Sequence, residues 1–206
     1  MPQMDVRCSG ARPDRAAFLA AQFVEGGCEA LLSIGLAGGL DPVLKPGDLI
    51  VSSTIIEPDG KKVPSDAIWR DNVVDRLDRA RIDYRIGPML GADELVRSPA
   101  AKQSYFSTTG ALAVDMESHA VMRVAKAAGI PAIAIRAVAD RSDDELPETA
   151  AYALTVNGGV AFFPILSGLM RRPSDLGGML MLARRSAQGF AALRRVAALP
   201  LLREPF

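Results

Sequence analysis

Cysteine and histidine are both scarce in this 206-residue chain, which has two of the first and one of the second. Cys8 and Cys28 cannot build a disulfide framework, and no further thiol supports a thiolate metal site. A single imidazole, His119, excludes a histidine-rich metal centre and argues against a Ser-His-Asp triad. Neither sign of charge is in excess, with 24 acidic against 24 basic residues, so no overall field favours nucleic acid. The opening residues, MPQMDVRCSG, lack the apolar stretch of a secretory signal, and no uninterrupted apolar run reaches spanning length. These absences point to a cytoplasmic, reducing setting, with neither a metal nor a cofactor expected.

What is present is a globular composition, 49% hydrophobic and 23% charged, with ample length for one buried core. The neutral total conceals an asymmetry. Residues 171–206 hold seven arginines against Asp175 and Glu204, a net of +5, which leaves −5 on the first 170 residues. The composition shift near Arg171–Pro173 divides the chain into residues 1–170 and a basic extension, 171–206.

Along the chain, Val6–Ser9 reads as the end of a short strand and Asp14–Val24 as an amphipathic helix closed by Gly26 and Gly27. The apolar run Ala30–Ile34 breaks into a glycine loop, Gly35–Gly39. Pro46-Gly47-Asp48 turns into a β-branched strand, Leu49–Ile56, and residues 57–66 form a turn-rich loop. Ile68–Arg81 is helical, Tyr84–Leu90 is a strand, and Gly91–Ser104 has no clear pattern. A short buried strand, Ala111–Val114, runs into a helix over Glu117–Ala128, and Pro131 opens the apolar run Ala132–Ala139. Buried runs alternating with amphipathic helices indicate an α/β fold, a three-layer αβα arrangement with a mostly parallel or mixed central sheet.

Three constellations carry chemistry. Glycines in Ser33-Ile34-Gly35-Leu36-Ala37-Gly38-Gly39 let backbone approach a ligand closely, or simply turn the chain. The spacing matches neither a Walker loop nor GxGxxG. In Val114-Asp115-Met116-Glu117-Ser118 a buried strand gives way to a helix, where a carboxylate stays ionised and suits a sugar diol, or caps the helix. In Ile135-Arg136-Ala137-Val138-Ala139-Asp140 an arginine inside an apolar strand must find an anionic partner, because an unpaired buried charge is very costly. Asp140 stands where ligands bind in open α/β sheets, or begins a solvated or magnesium-binding acidic run with Asp143 and Asp144.

In this order, GLAGGL at 35–40, KPGDLIVS at 45–52, VDMES at 114–118 and RAVAD at 136–140 resemble the nucleoside phosphorylase and methylthioadenosine/adenosylhomocysteine nucleosidase family. The resemblance covers about residues 29–145. CSGARPDR at 8–15 and the arginine-rich tail are similar to hopanoid-associated phosphorylases, which remove adenine from adenosylhopane. The resemblance implies cleavage of the N-glycosidic bond of a purine nucleoside. Asp140 would be the general acid at N7 of the leaving purine, Glu117 would hold the ribose hydroxyls and Met116 would pack on the sugar. Arg136 would help to place the attacking water. Leu95 and Val96 would flank the base, while Leu36, Ala37 and Gly38 would line the floor. The resemblance also implies a homo-oligomer.

Two departures from the family pattern bear on the reaction. The family opens with a strand and an acidic residue that activates the nucleophile, yet Asp5, Asp14, Glu25 and Glu29 do not occupy that place. Ile34-Gly35-Leu36 lacks hydroxyls common in relatives, which favours hydrolysis over phosphorolysis. A phosphate-dependent phosphorylase and a non-catalytic nucleoside-binding protein are the alternatives. In the extension, Leu176, Met179, Leu180, Ala183, Ala187, Phe190, Leu193 and Ala197 recur at helical spacing as one apolar stripe beside paired arginines. Such a helix packs on protein, or lies on an anionic membrane that presents a lipid-linked nucleoside.

Overall fold

The apolar run from Ala132 to Asp140 forms a strand in which every residue is buried. Its alternate side chains enter two separate cores, as a strand covered on both faces requires. In the computed structural model, which describes residues 4–147 and 175–199, this strand is the last of six. The strands are β1 (Leu31–Gly39), β2 (Leu49–Ile56), β3 (Lys62–Pro64), β4 (Arg85–Gly91), β5 (Ala113–Asp115) and β6 (Ala132–Asp140). The helices are α1 (Pro13–Glu25), α2 (Ala67–Arg79), α3 (Pro99–Thr109), α4 (Ser118–Ala128) and α5 (Asp175–Ala197).

The sheet is mixed, in the order β3-β2-β4-β5-β1-β6, and it curls until β2 also pairs with β6. Pairs β1–β6, β2–β4 and β4–β5 are parallel, while β1–β5, β2–β3 and β2–β6 are antiparallel. On one face α1 and α4 bring Ala20, Met122 and Ala125 onto Ala132, Ala134 and Val138. On the other, α2 and α5 bring Trp69, Val73, Leu77, Ala192 and Val196 onto Ile133, Ile135 and Ala137. The α/β class with helices on both faces of a mixed sheet is thus the one expected.

Local chemistry sets the helix ends. Asp66 accepts from Trp69 N at 2.8 Å to start α2, and Ser98 accepts from Ala101 N at 3.2 Å to start α3. Gly129, at φ +69°, closes α4 in the left-handed region that a β-carbon disfavours.

Four expectations need correction. Residues Val6–Ser9 are not a strand. Gly35–Gly39 is not a loop, since β1 continues to Gly39 with β6 on one side and β5 beside Gly38 and Gly39. Its backbone groups find ladder partners despite the missing side chains. The 57–66 segment includes β3, because Val63 is buried opposite Ile55. Helix α5 packs on its own domain, but mostly not through the expected stripe: Leu176, Leu180, Ala183, Ala187, Phe190 and Ala197 are exposed, whereas Gly189, Ala192 and Val196 are buried and, of the stripe, Leu193 packs beside them. Close approach decides this. A β-carbon at Gly189 would lie 2.7 Å from Leu36 Cδ2 and 3.2 Å from the Val138 carbonyl oxygen, so the helix approaches the sheet most closely at this glycine.

Candidate active site

The carboxyl ends of β1, β4 and β6 converge with β5, and the chemistry-bearing residues gather there. Register aligns Gly38 with Asp140 on one side and with Val114 on the other. A β-carbon at Gly38 would stand 3.3 Å from both carboxylate oxygens of Asp140, so glycine leaves that carboxylate uncrowded. Ala37 is buried in the α1–α4 core, and Leu36 packs on the opposite face towards α5.

Asp140 is 5% exposed. Burial pushes its carboxyl above the usual range, against the opposing pull of the neighbouring Lys102 ammonium. Lys102, on α3, is fully buried and donates from Nζ to Asp140 Oδ2, to the Arg141 carbonyl at 2.7 Å and to the Asp144 carbonyl at 3.0 Å. Asp144 in turn accepts from Arg141 N at 2.7 Å and pairs with Arg185 of α5. Asp143 pairs with Arg141, so the acidic run after β6 is occupied by internal partners. Among the described residues no group of three or more His, Cys, Asp or Glu side chains is placed to hold a metal.

The two acidic residues at the strand-to-helix junction separate into two roles. Asp115 does the capping, with Oδ1 accepting from Glu117 N and Ser118 N, both at 2.7 Å. Its Oδ2 accepts from Arg136 Nε at 3.0 Å, which supplies the anionic partner that the buried arginine demands. Burial by itself raises the Asp115 pKa, but the Arg136 charge and the N–H donors outweigh it and hold the carboxyl below its ordinary range. Arg136 Nη2 also donates to Ser33 Oγ at 2.7 Å, and Nη1 to the Ile135 carbonyl at 3.1 Å. The guanidinium is 0% exposed, so it meets no solvent directly.

Glu117 is left free of capping. Its Oε1 accepts from Ser9 Oγ at 2.6 Å and from Ala11 N at 2.9 Å, and its Oε2 lies 3.8 Å from Arg136 Nη2. The Ser9–Ala11 turn that reaches it has two consecutive left-handed residues, Gly10 at φ +67° and Ala11 at φ +58°. Positive φ at a non-glycine residue carries strain, and here it aims an N–H at Glu117. Met116 is half-buried between the two acids.

Leu95 and Val96 follow β4 and line an open cleft of about 700 Å³ with Leu90, Ala101 and Tyr105. Arg97 and Leu146 exchange hydrogen bonds, Leu146 N to the Arg97 carbonyl at 3.0 Å and Arg97 Nε to the Leu146 carbonyl at 3.1 Å. This joins the cleft loop to the segment after Asp140. His119, buried on α4, holds the same loop through Nε2, 3.2 Å from Asp93 Oδ1. Sequence reading missed Lys102, Ser9 and Ala11. Only the Cys-Ser-Gly-Ala motif hinted at the last two, and a lysine in a weakly patterned segment gave no signal.

Comparison with known proteins shows what this chain is similar to. The chain is 26% identical over 165 residues to the 5'-methylthioadenosine/S-adenosylhomocysteine nucleosidase of Mycobacterium bovis, covering 61% of this chain and 63% of the relative. It is 26% identical over 135 residues to the aminodeoxyfutalosine nucleosidase of Helicobacter pylori, covering 58% of each. The chain therefore spans less than two thirds of the length of these curated relatives. A Helicobacter pylori MTAN mutant solved with 5'-methylthioadenosine in its active site superposes with a TM-score of 0.66 at 17% identity. That match covers 92% of this chain and 77% of the other, a likeness of fold. The sequence pattern of the Phosphorylase superfamily matches residues 7–157, and the chain belongs to that superfamily.

Proposed function

We propose that this protein cleaves the N-glycosidic bond of an adenine nucleoside, by hydrolysis. The observation that carries the reading is a pair of unlike carboxyls at one end of the sheet. Asp140 is buried with its proton affinity raised, and Glu117, two strands away, is a half-buried acceptor of two donors. Glycosidic cleavage needs both. As the C1′–N9 bond breaks, its electron pair moves onto the purine, and Asp140 passes a proton to N7. The sugar left behind is oxocarbenium-like, and a carboxylate gripping its 2′- and 3′-hydroxyls stabilises that charge until water adds at C1′ and releases a proton to solvent, from which Asp140 is reprotonated.

Ser9 Oγ and Ala11 N now give Glu117 the two donors that a ribose diol would offer in their place. Arg136 sets the direction of that carboxylate from behind and, being sealed from solvent, does not itself place the attacking water as expected. Leu95 and Val96 receive the base in the cleft, Met116 packs on the sugar, and Gly38 with the backbone of Leu36 and Ala37 forms the floor, since those two side chains are taken up by the cores on opposite faces of the sheet. Nucleosidase names among the relatives support hydrolysis, as does the lack of hydroxyls at 34–36.

The test is product analysis from methylthioadenosine, adenosylhomocysteine and adenosylhopane, each with and without phosphate. Adenine and free sugar should form without phosphate. A strict phosphate requirement with a ribose 1-phosphate product would replace hydrolysis by phosphorolysis, and binding without adenine release would make the chain a nucleoside-binding protein.

The outer face of α5 supports a lipid-linked substrate such as adenosylhopane. Leu176, Leu180, Met181 and Phe190 are exposed there, with Arg184, Arg194 and Arg195 along the same helix. No described helix is long and apolar enough to cross a membrane, and α5 with this face would lie along the surface. We place the protein on an anionic membrane surface as a homo-oligomer. Sedimentation with anionic and with neutral liposomes should show binding to the first only, and velocity runs without lipid should show a species larger than one chain. Equal pelleting with both lipids, or a fully active monomer, would refute the corresponding half.

A further inference from the structure

Lys102 is the one lysine buried completely among the described residues, and the mechanism above leaves it without a task. An ammonium carries three donors, and Lys102 meets three acceptors: Asp140 Oδ2, the Arg141 carbonyl and the Asp144 carbonyl. All three acceptors belong to the end of β6 and the turn that follows it. A buried charge with a complete shell has one geometry, so the carboxylate it grips has one as well.

We infer that Lys102 is a positioning residue for the proton transfer: its ammonium pins Oδ2 of Asp140, leaves Oδ1 as the oxygen offered to the base, and neutralises the carboxylate that remains once the proton has moved. This rests on the proposed glycosidic cleavage. The ion pair gains strength as the reaction proceeds, because Asp140 is neutral when it holds the proton and anionic when N7 has it. An interaction that strengthens towards the transition state raises kcat more than it lowers KM. The remaining charges around Asp140 come from the β6 turn and α5, namely Asp144, which disfavours ionisation of Asp140, and Arg185, which favours it. Those two pair with each other, which leaves Lys102 as the cation in direct contact.

The experiment is a carbon-13 NMR titration of the Asp140 carboxyl, assigned by its loss in Asp140→Asn, in wild type and Lys102→Met. An opposite charge in contact lowers a carboxyl pKa by about 1–3 units, so the variant should titrate at least about one unit higher. The alkaline limb of kcat should move up by the same amount. At its plateau kcat should fall on the order of tenfold or more, with KM little changed. Lys102→Gln keeps an N–H for Oδ2 without the charge and carries the same expectation if the methionine variant does not fold. A titration that stays in place in both variants overturns the inference, whatever happens to stability. The titration needs no turnover, so a wild type that releases no adenine would sink the cleavage reading, while the carboxyl shift would still decide whether Lys102 governs Asp140.

Discussion

Asp140→Asn is expected to reduce adenine release by about 100- to 10,000-fold, the usual cost of losing a general acid. The amide matches the carboxyl in size beside Gly38 but cannot pass a proton to N7. Because the buried Lys102 also loses its counter-charge, the folded fraction is measured first by circular dichroism, and rates are referred to it. A nucleoside whose leaving group departs without protonation, such as a p-nitrophenyl riboside, should lose far less than adenosine derivatives. Equal losses on both substrates would mean that Asp140 holds the site together and transfers no proton. Near-normal turnover of adenine nucleosides would remove it from the chemistry altogether.

Arg136→Met should be the most destabilising single change at this end of the sheet, by about 3–5 kcal/mol, the range for removing one partner of a buried ion pair. Asp115 would keep its two backbone N–H donors but lose the cation, and Ser33 Oγ would lose its 2.7 Å donor and keep only the 3.5 Å contact from Ser118 Oγ. The effect depends on pH with a definite sign. Asp115's folded pKa is depressed, so its stabilisation is complete above the unfolded carboxylate value of about 4 and disappears as pH falls through the lower folded value. Urea unfolding of wild type and variant should therefore give a large gap at neutral pH that narrows on strong acidification. A gap below about 1 kcal/mol at neutral pH would show that water reaches and compensates this pair.

These two residues also mark the reach of sequence reading. Period and composition were enough for the alternation of apolar runs with amphipathic helices, and hence for the α/β class with a sheet covered on both faces. An arginine flanked by Ile135 and Ala137 announced the need for a buried anion, and chemistry alone required it. Which anion answers was settled by register. Arg136 lies opposite Gly35 on β1, and its guanidinium reaches back across the sheet to Asp115 on β5. The acid pair at 115–117 was legible as capping or as sugar binding, and the fold gives the capping to Asp115, because its carboxylate reaches the N–H groups of Glu117 and Ser118, while Glu117 is left to accept from Ser9 and Ala11.

Other features were decided in three dimensions only. Lys102 stands 38 residues before Asp140, on a helix with no strong apolar face, and nothing local marks it as buried. The apolar stripe read on α5 left open packing on protein or lying on a membrane; in three dimensions the helix packs through Gly189, Ala192 and Val196, with Gly189 close against Leu36 and Val138, while Leu176, Leu180 and Phe190 face outward. The glycines at 35–39 look like a break when read one residue at a time, but a strand held by neighbours on both sides needs backbone pairing and not side chains. Local sequence thus determined which segments bury apolar surface and which charges must find partners. Tertiary structure alone decided who those partners are, because hydrogen-bond reach and close packing depend on distances between segments far apart in the chain.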